Sequence, residues 1–164
     1  MSSIPTVAGA APGQFLPSAL DLDAQRVWVP QAPGVSFSPL LLNITQGYYV
    51  NMLRVRRAGI LSRHRHTGPV HAFTLRGEWY YREHPWRAKA GDYVYEPPGE
   101  THTLIVPDEC AEMITLFHVS GGYNYLDEQG QLMGVEDVFT KLAAARAHWQ
   151  AIGASPQTLE SLVR

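Results

Sequence analysis

Three of the chain's seven histidines stand where metal chemistry would need them. His64 and His66 are two apart in the run Leu61-Ser62-Arg63-His64-Arg65-His66. On an extended strand, residues i and i+2 point to the same face. Both imidazoles therefore turn one way, while Arg63 and Arg65 turn the other. An inward histidine pair between outward arginines is what a metal site inside a β-barrel requires, and another strand must complete it. The stretch Gly91 to Glu96, then Pro97-Pro98-Gly99, then Thr101 to Val106 reads as strand, turn and strand, with His102 opening the second strand. Neutral imidazole suits iron, zinc, copper and nickel, so the spacing predicts a metal without choosing it.

The elements that must position these histidines are short strands. From Val27 to Val119, runs of Val, Ile, Leu, Tyr, Phe and Trp alternate with Gly and Pro punctuation, the pattern of an all-β sandwich or barrel. No helical period intervenes, which argues against a parallel sheet with crossover helices. Tyr123 to Met133 reads as a hairpin turning at Asp127-Glu128-Gln129-Gly130. Then Val135, Val138, Phe139, Leu142, Ala145, Trp149 and Ile152 recur at three- and four-residue steps, with Glu136 and Asp137 expected in the first turn and Gly153 as the stop. Residues 1–25, rich in Ser, Ala, Pro and Gly, read as a mobile arm. The expected organisation is thus arm 1–25, barrel 26–134, and a helix with its tail over 135–164, packed on the barrel or on a partner subunit.

The 164 residues suit one domain, and 45% apolar content argues against disorder. A formal charge of −2 implies no strong field and gives no case for nucleic acid or an anionic membrane. The arginine run Arg54, Arg56, Arg57, Arg63, Arg65 reads as a solvated face. A single cysteine, Cys110, excludes a disulfide within the chain and reads as inert. No basic segment leads into an apolar one near the N-terminus, and no apolar run approaches the roughly 20 residues of a membrane helix. A cytoplasmic protein is expected.

Gly59, five residues, His64, one residue and His66 resemble the first cupin motif. Where that motif, after four intervening residues, carries a glutamate, His71 stands here, and Gly77 closes the run one residue early. Gly91, five residues, Pro97, one residue, Gly99, two residues and His102 resemble the second motif, with Val106 in place of its final asparagine. The resemblance implies an all-β cupin double-stranded β-helix, a jelly-roll barrel, with one C-terminal α-helix.

A closer resemblance is carried by Ser62 to His66, Pro69 to Ala72, Tyr95 to Leu104 and Gly134 to Lys141. These runs are similar to the 2,4′-dihydroxyacetophenone dioxygenase group, relatives of the acetylacetone-cleaving dioxygenases. That resemblance implies non-haem Fe(II) on His64, His66 and His102, with Zn or Ni able to occupy the site in a purified sample. It also implies an inward pair of Arg82 and Glu96 that orients the substrate, and a homo-oligomer, dimer or tetramer. The alternative for Arg82 and Glu96 is a surface pair of little energetic weight. His71 is open as a fourth ligand or as a residue behind the ligands. His84, His118 and His148 read as structural or exposed. Tyr80 shares parity with Arg82, and with Met52, Met113 and Phe117 it is the candidate pocket wall.

Three neutral imidazoles leave a divalent ion's charge uncompensated, which favours an anionic bidentate ligand such as an enolate. The expected function is a dioxygenase that uses O2 to cleave a C–C bond in the side chain of an aryl hydroxyketone or a related dicarbonyl. Two alternatives are kept: another metal-dependent cupin enzyme, an isomerase or lyase on an enolisable substrate, and a non-enzymatic metal-binding cupin sensor.

Overall fold

The computed structural model describes residues 8–164. One antiparallel sheet is built from β1 (Val29–Ala32), β2 (Val35–Asn43), β3 (Tyr48–Val55), β10 (Met113–Ser120), β5 (Val70–Arg76) and β8 (Tyr93–Glu96), in that spatial order. The facing sheet runs β12 (Leu132–Asp137), β11 (Gly122–Leu126), β4 (Gly59–His66), β9 (Thr101–Val106), β6 (Glu78–Tyr81) and β7 (Ala88–Lys89). Two helices follow, α1 (Val138–Ala151) and α2 (Pro156–Glu160). This is the jelly-roll barrel with a C-terminal helix that the resemblance implied, and it agrees with the strand pattern.

Alternation explains the core. In β10, Met113, Thr115, Phe117 and Val119 are buried between the sheets. In β3, Tyr49 and Asn51 share that side. The turn from β5 to β6 depends on Gly77. Its φ of +75° is open to glycine, and a Cβ there would lie 2.3 Å from the Glu112 carbonyl oxygen.

The helix begins later than its apolar period suggested. β12 runs on to Asp137, which is the N-cap of α1 and accepts from the Phe139 and Thr140 amides at 2.9 and 2.8 Å. Glu136 therefore sits on the strand, and Val135, Phe139 and Ile152 are exposed. The buried stripe is Val138, Lys141, Leu142, Ala145 and Trp149, laid against β1, β2 and β12 of the same chain. The reason is register: once Asp137 caps the helix, the stripe counts from Val138.

Of the arm expected over 1–25, residues 1–7 lie outside the described residues. Gln14 Nε2 donates to the Leu40 carbonyl at 2.6 Å, Leu16 packs on the core, and Arg26 donates to the Ala19 and Asp21 carbonyls. Among the described residues, no helix is long and apolar enough to cross a membrane.

Candidate metal centre

The centre is assembled from both sheets. β4 and β9 pair so that His64 lies directly opposite His102, and the two-residue step places His66 on the same inner face. After β8 the chain turns through Pro97-Pro98-Gly99, where Gly99, at φ +88°, donates to the His66 carbonyl at 2.8 Å. This crossing carries Glu96, on the facing sheet, to within six residues of His102. All four side chains are buried, His64 5%, His66 4%, Glu96 2% and His102 0% exposed, and one donor atom from each lies within 4.8 Å of the other three.

Glu96 and His102 converge on the other donors without being satisfied by them. Glu96 Oε2 lies 3.0 Å from His66 Nε2 and 3.4 Å from His102 Nε2, yet both Glu96 oxygens and His102 Nε2 lack a partner in hydrogen-bonding geometry. His64 Nε2 is 3.1 Å from His66 Nε2. Buried polar atoms are paired in the great majority of cases, and atoms aimed at a common point instead are what a divalent cation would complete. Three nitrogens and one carboxylate oxygen suit zinc, iron or nickel. Burial first, then the neighbouring His66 and His102, hold the His64 imidazole well below its usual range. Burial, then His66 and His84, push His102 down to about 3. Both imidazoles are thus neutral at physiological pH, the form that ligates. Ser62 Oγ, 3.0 Å from His64 Nδ1, orients that ring from behind.

With Glu96 among the donors, a divalent ion would keep one net positive charge rather than two.

Other sequence candidates fall elsewhere. His71 is not a fourth donor and does not back the ligands. Its neighbours Val70 and Ala72 turn inward on β5, so its ring faces outward, with Nδ1 2.7 Å from the Tyr93 hydroxyl and its ring beside that of His118. Arg82 is exposed past the end of β6 and makes no pair with Glu96. Tyr80 shares its parity and lies outward under Arg87, whose guanidinium is 4.6 Å from the ring. The inward residues of β6 are Trp79 and Tyr81. Because Trp79-Tyr80-Tyr81 is aromatic throughout, the text shows no alternation from which to choose a face. Met52 is buried, but against the segment that precedes β1, where Arg26 reaches its sulfur, and it lines no cavity with the histidines. Met113 is in the core, off the cavity wall, while Phe117 does line it.

Tyr81, missed by parity, stacks on His102 with ring centroids 3.6 Å apart and planes 8° from parallel. Trp79 braces Tyr81 edge-on at 5.2 Å, and its Nε1 donates to Thr74 Oγ1 at 2.9 Å. On the other flank, the Tyr123 ring centroid lies 5.0 Å from that of His64 and 5.2 Å from that of His66. The parity of Tyr123 and Tyr125 in the hairpin would have found this wall.

Beside His64 and His66 opens a cavity of about 350 Å³. Leu53, Leu104, Phe117 and Val119 give it apolar wall; Tyr49, Asn51, Tyr123, Tyr125, Gln31, Glu136 and Lys141 give it polar groups. Burial holds Tyr49, Tyr81 and Tyr123 well above the ordinary phenol range and Tyr125 up to about 12, so all four remain O–H donors. Lys141 was missed; a charged residue within a helix's apolar stripe was the signal.

The jelly roll is shared with solved structures. An RmlC-like cupin protein from Ralstonia eutropha JMP134 is 31% identical, with a TM-score of 0.78 over 82% of this chain and 88% of that one. A protein of unknown function with a cupin-like fold from the same organism is 28% identical, with a TM-score of 0.70 over 73% and 75%. An acetylacetone dioxygenase from Acinetobacter johnsonii is 19% identical, with a TM-score of 0.64 over 92% and 99%, a likeness of fold. No curated protein is a significant match. The sequence profile of the ChrR cupin-like domain matches residues 19–124, and with the fold and the 31% identical cupin this shows the relationship: the chain belongs to the ChrR cupin-like family of the cupin superfamily.

Proposed function

We propose that the protein is a metal-dependent cupin oxygenase. His64, His66 and His102, with Glu96 beside them, would hold Fe(II), and the adjoining cavity would take an enolisable ketone, an aryl hydroxyketone or a related dicarbonyl. The observation that carries this reading is the opening of the buried donor cluster, at His64 and His66, onto a cavity of about 350 Å³ with apolar wall and neutral phenols. That volume is at the small end of the roughly 300–1,000 Å³ of ligand pockets and fits a single-ring molecule. The resemblance of Ser62 to His66 and Tyr95 to Leu104 to ketone-cleaving dioxygenases supports the same reading, as does the name of the Acinetobacter neighbour.

When bound, Fe(II) would supply the chelation that acidifies the ketone and the electrons that activate dioxygen. The protein's own groups do the rest. Tyr123 presents its ring across His64 and His66. Tyr49 and Tyr123 offer O–H donors to an enolate oxygen, and Leu104, Phe117 and Val119 keep water from it. Tyr81 holds His102 in place by stacking. In a hydroxyketone, cleavage between carbonyl and carbinol carbons would give two carboxylic acids, both atoms of O2 entering the products.

The test is oxygen consumption by Fe(II)-reconstituted protein with 2,4′-dihydroxyacetophenone and with acetylacetone, beside His102→Ala. Uptake with formation of the paired acids, lost in the variant, is expected. Bound metal with no uptake from either ketone refutes the oxygenase reading. That outcome favours a second one, suggested by the ChrR cupin-like match: a metal-holding cupin without oxygenase chemistry.

A further inference from the structure

The metal cluster is not the only built site in the cavity. Lys141, from α1, projects into the barrel and is 2% exposed. Its ammonium lies 4.3 Å from the Phe37 ring centroid and 5.8 Å from that of Tyr49. It donates to Gln31 Oε1 at 2.6 Å, and Glu136 Oε1 is 3.7 Å away, beyond hydrogen-bonding reach. An ammonium has three donors, so this one keeps capacity that no protein acceptor fills. Gln31 and Glu136 are joined in turn: Gln31 Nε2 donates to the Tyr125 hydroxyl at 3.1 Å, and that hydroxyl donates to Glu136 Oε2 at 3.1 Å. Tyr125 is 3.3 Å from the Tyr123 hydroxyl, and Tyr123 flanks His64 and His66. A polar rail therefore runs along one cavity wall from the metal cluster to Lys141.

We infer that Lys141, with Glu136, is a specificity-determining anchor that binds a neutral hydroxyl group at the end of the ligand remote from the metal cluster. The inference rests on the reading that the cavity takes a ketone at its histidine end. Charge selects the hydroxyl. Lys141 and Glu136 already compensate each other, so a carboxylate would confront Glu136. A hydroxyl instead accepts from the ammonium and donates to the carboxylate, or to Asn51 Oδ1, which lines the same cavity buried and unpartnered. A ligand lacking it leaves the Lys141 donors unpaired, the arrangement by which sites reject an analogue missing one hydroxyl.

The test is calorimetric titration of 4-hydroxyacetophenone and of acetophenone into the zinc-loaded full chain, which reads binding without turnover. The hydroxylated ligand should bind about tenfold tighter, the effect of one hydrogen bond to a charged group. Lys141→Met should bring the two within about twofold, and Glu136→Gln, which keeps the shape of the site, should reduce the preference. Equal affinities in the wild type, absence of binding by either ketone, or a preference that survives Lys141→Met overturns the inference. Oxygen uptake by the Fe(II) protein separates this from failure of the oxygenase reading. A preference without uptake keeps the anchor and sinks the oxygenase; equal uptake and equal binding keep the oxygenase and sink the anchor.

Discussion

Glu96→Gln tests the centre with one substitution whose effect should differ between metal-free and metal-loaded protein. Glu96 is 2% exposed and neither of its oxygens has a hydrogen-bond partner, while His64 and His102 beside it are held neutral by burial. Without metal, an unpaired carboxylate in such a place costs several kcal/mol of desolvation. Glutamine keeps the shape and removes the charge, so the metal-free variant should be as stable as the wild type, or more so by about 1–2 kcal/mol. With metal, the carboxylate would be a donor. Loss of a group that supports a metal site typically weakens affinity about 10–100-fold, or roughly 1.4–2.7 kcal/mol. For a chain of this length that is roughly 3–10 °C of the metal-induced rise in melting temperature. The assay is thermal unfolding of both proteins with and without Zn(II) or Fe(II), beside metal content per chain. A variant that keeps the full metal-induced rise would show that Glu96 does not contribute to binding. A large loss of stability without metal would show that the carboxylate is a structural partner of His66.

Two further outcomes follow. His71→Ala should leave metal content per chain and the metal-induced shift unchanged, since His71 faces outward toward Tyr93 and His118; a fall in metal content would place it in the site after all. Burial pushes Lys141 from 10.5 down to about 8, so its charged form opposes folding. The penalty is complete below about pH 8 and relieved as pH climbs toward the unfolded value, because there the unfolded chain binds the extra proton. Wild-type stability relative to Lys141→Met should therefore rise by about 2 kcal/mol between pH 8 and 10; denaturant unfolding in which the difference stays flat over that window would refute a buried, titrating Lys141.

Much of the site was legible because some of its spacing is covalent. Once the segment is a strand, a two-residue step places His64 and His66 on one face, and Pro97-Pro98-Gly99 must turn the chain before His102. Glycine and proline punctuation, with runs of a few residues, required strands and hence two layers. Face, however, is a tertiary property. In Trp79-Tyr80-Tyr81 every residue is apolar enough for either side, so only packing decided that Tyr81 lies under His102 and Arg82 outside. The same holds for His71, whose small neighbours Val70 and Ala72 take the interior. The carboxylate next to the histidines comes from Glu96 on the facing sheet, a partnership across the barrel that no period within one strand encodes. Lys141 entered the cavity because capping at Asp137 set the helix register and the barrel end lay beneath it. Local geometry along the chain was therefore written in the sequence, whereas every contact between layers waited for the two sheets and the helix to close on one another.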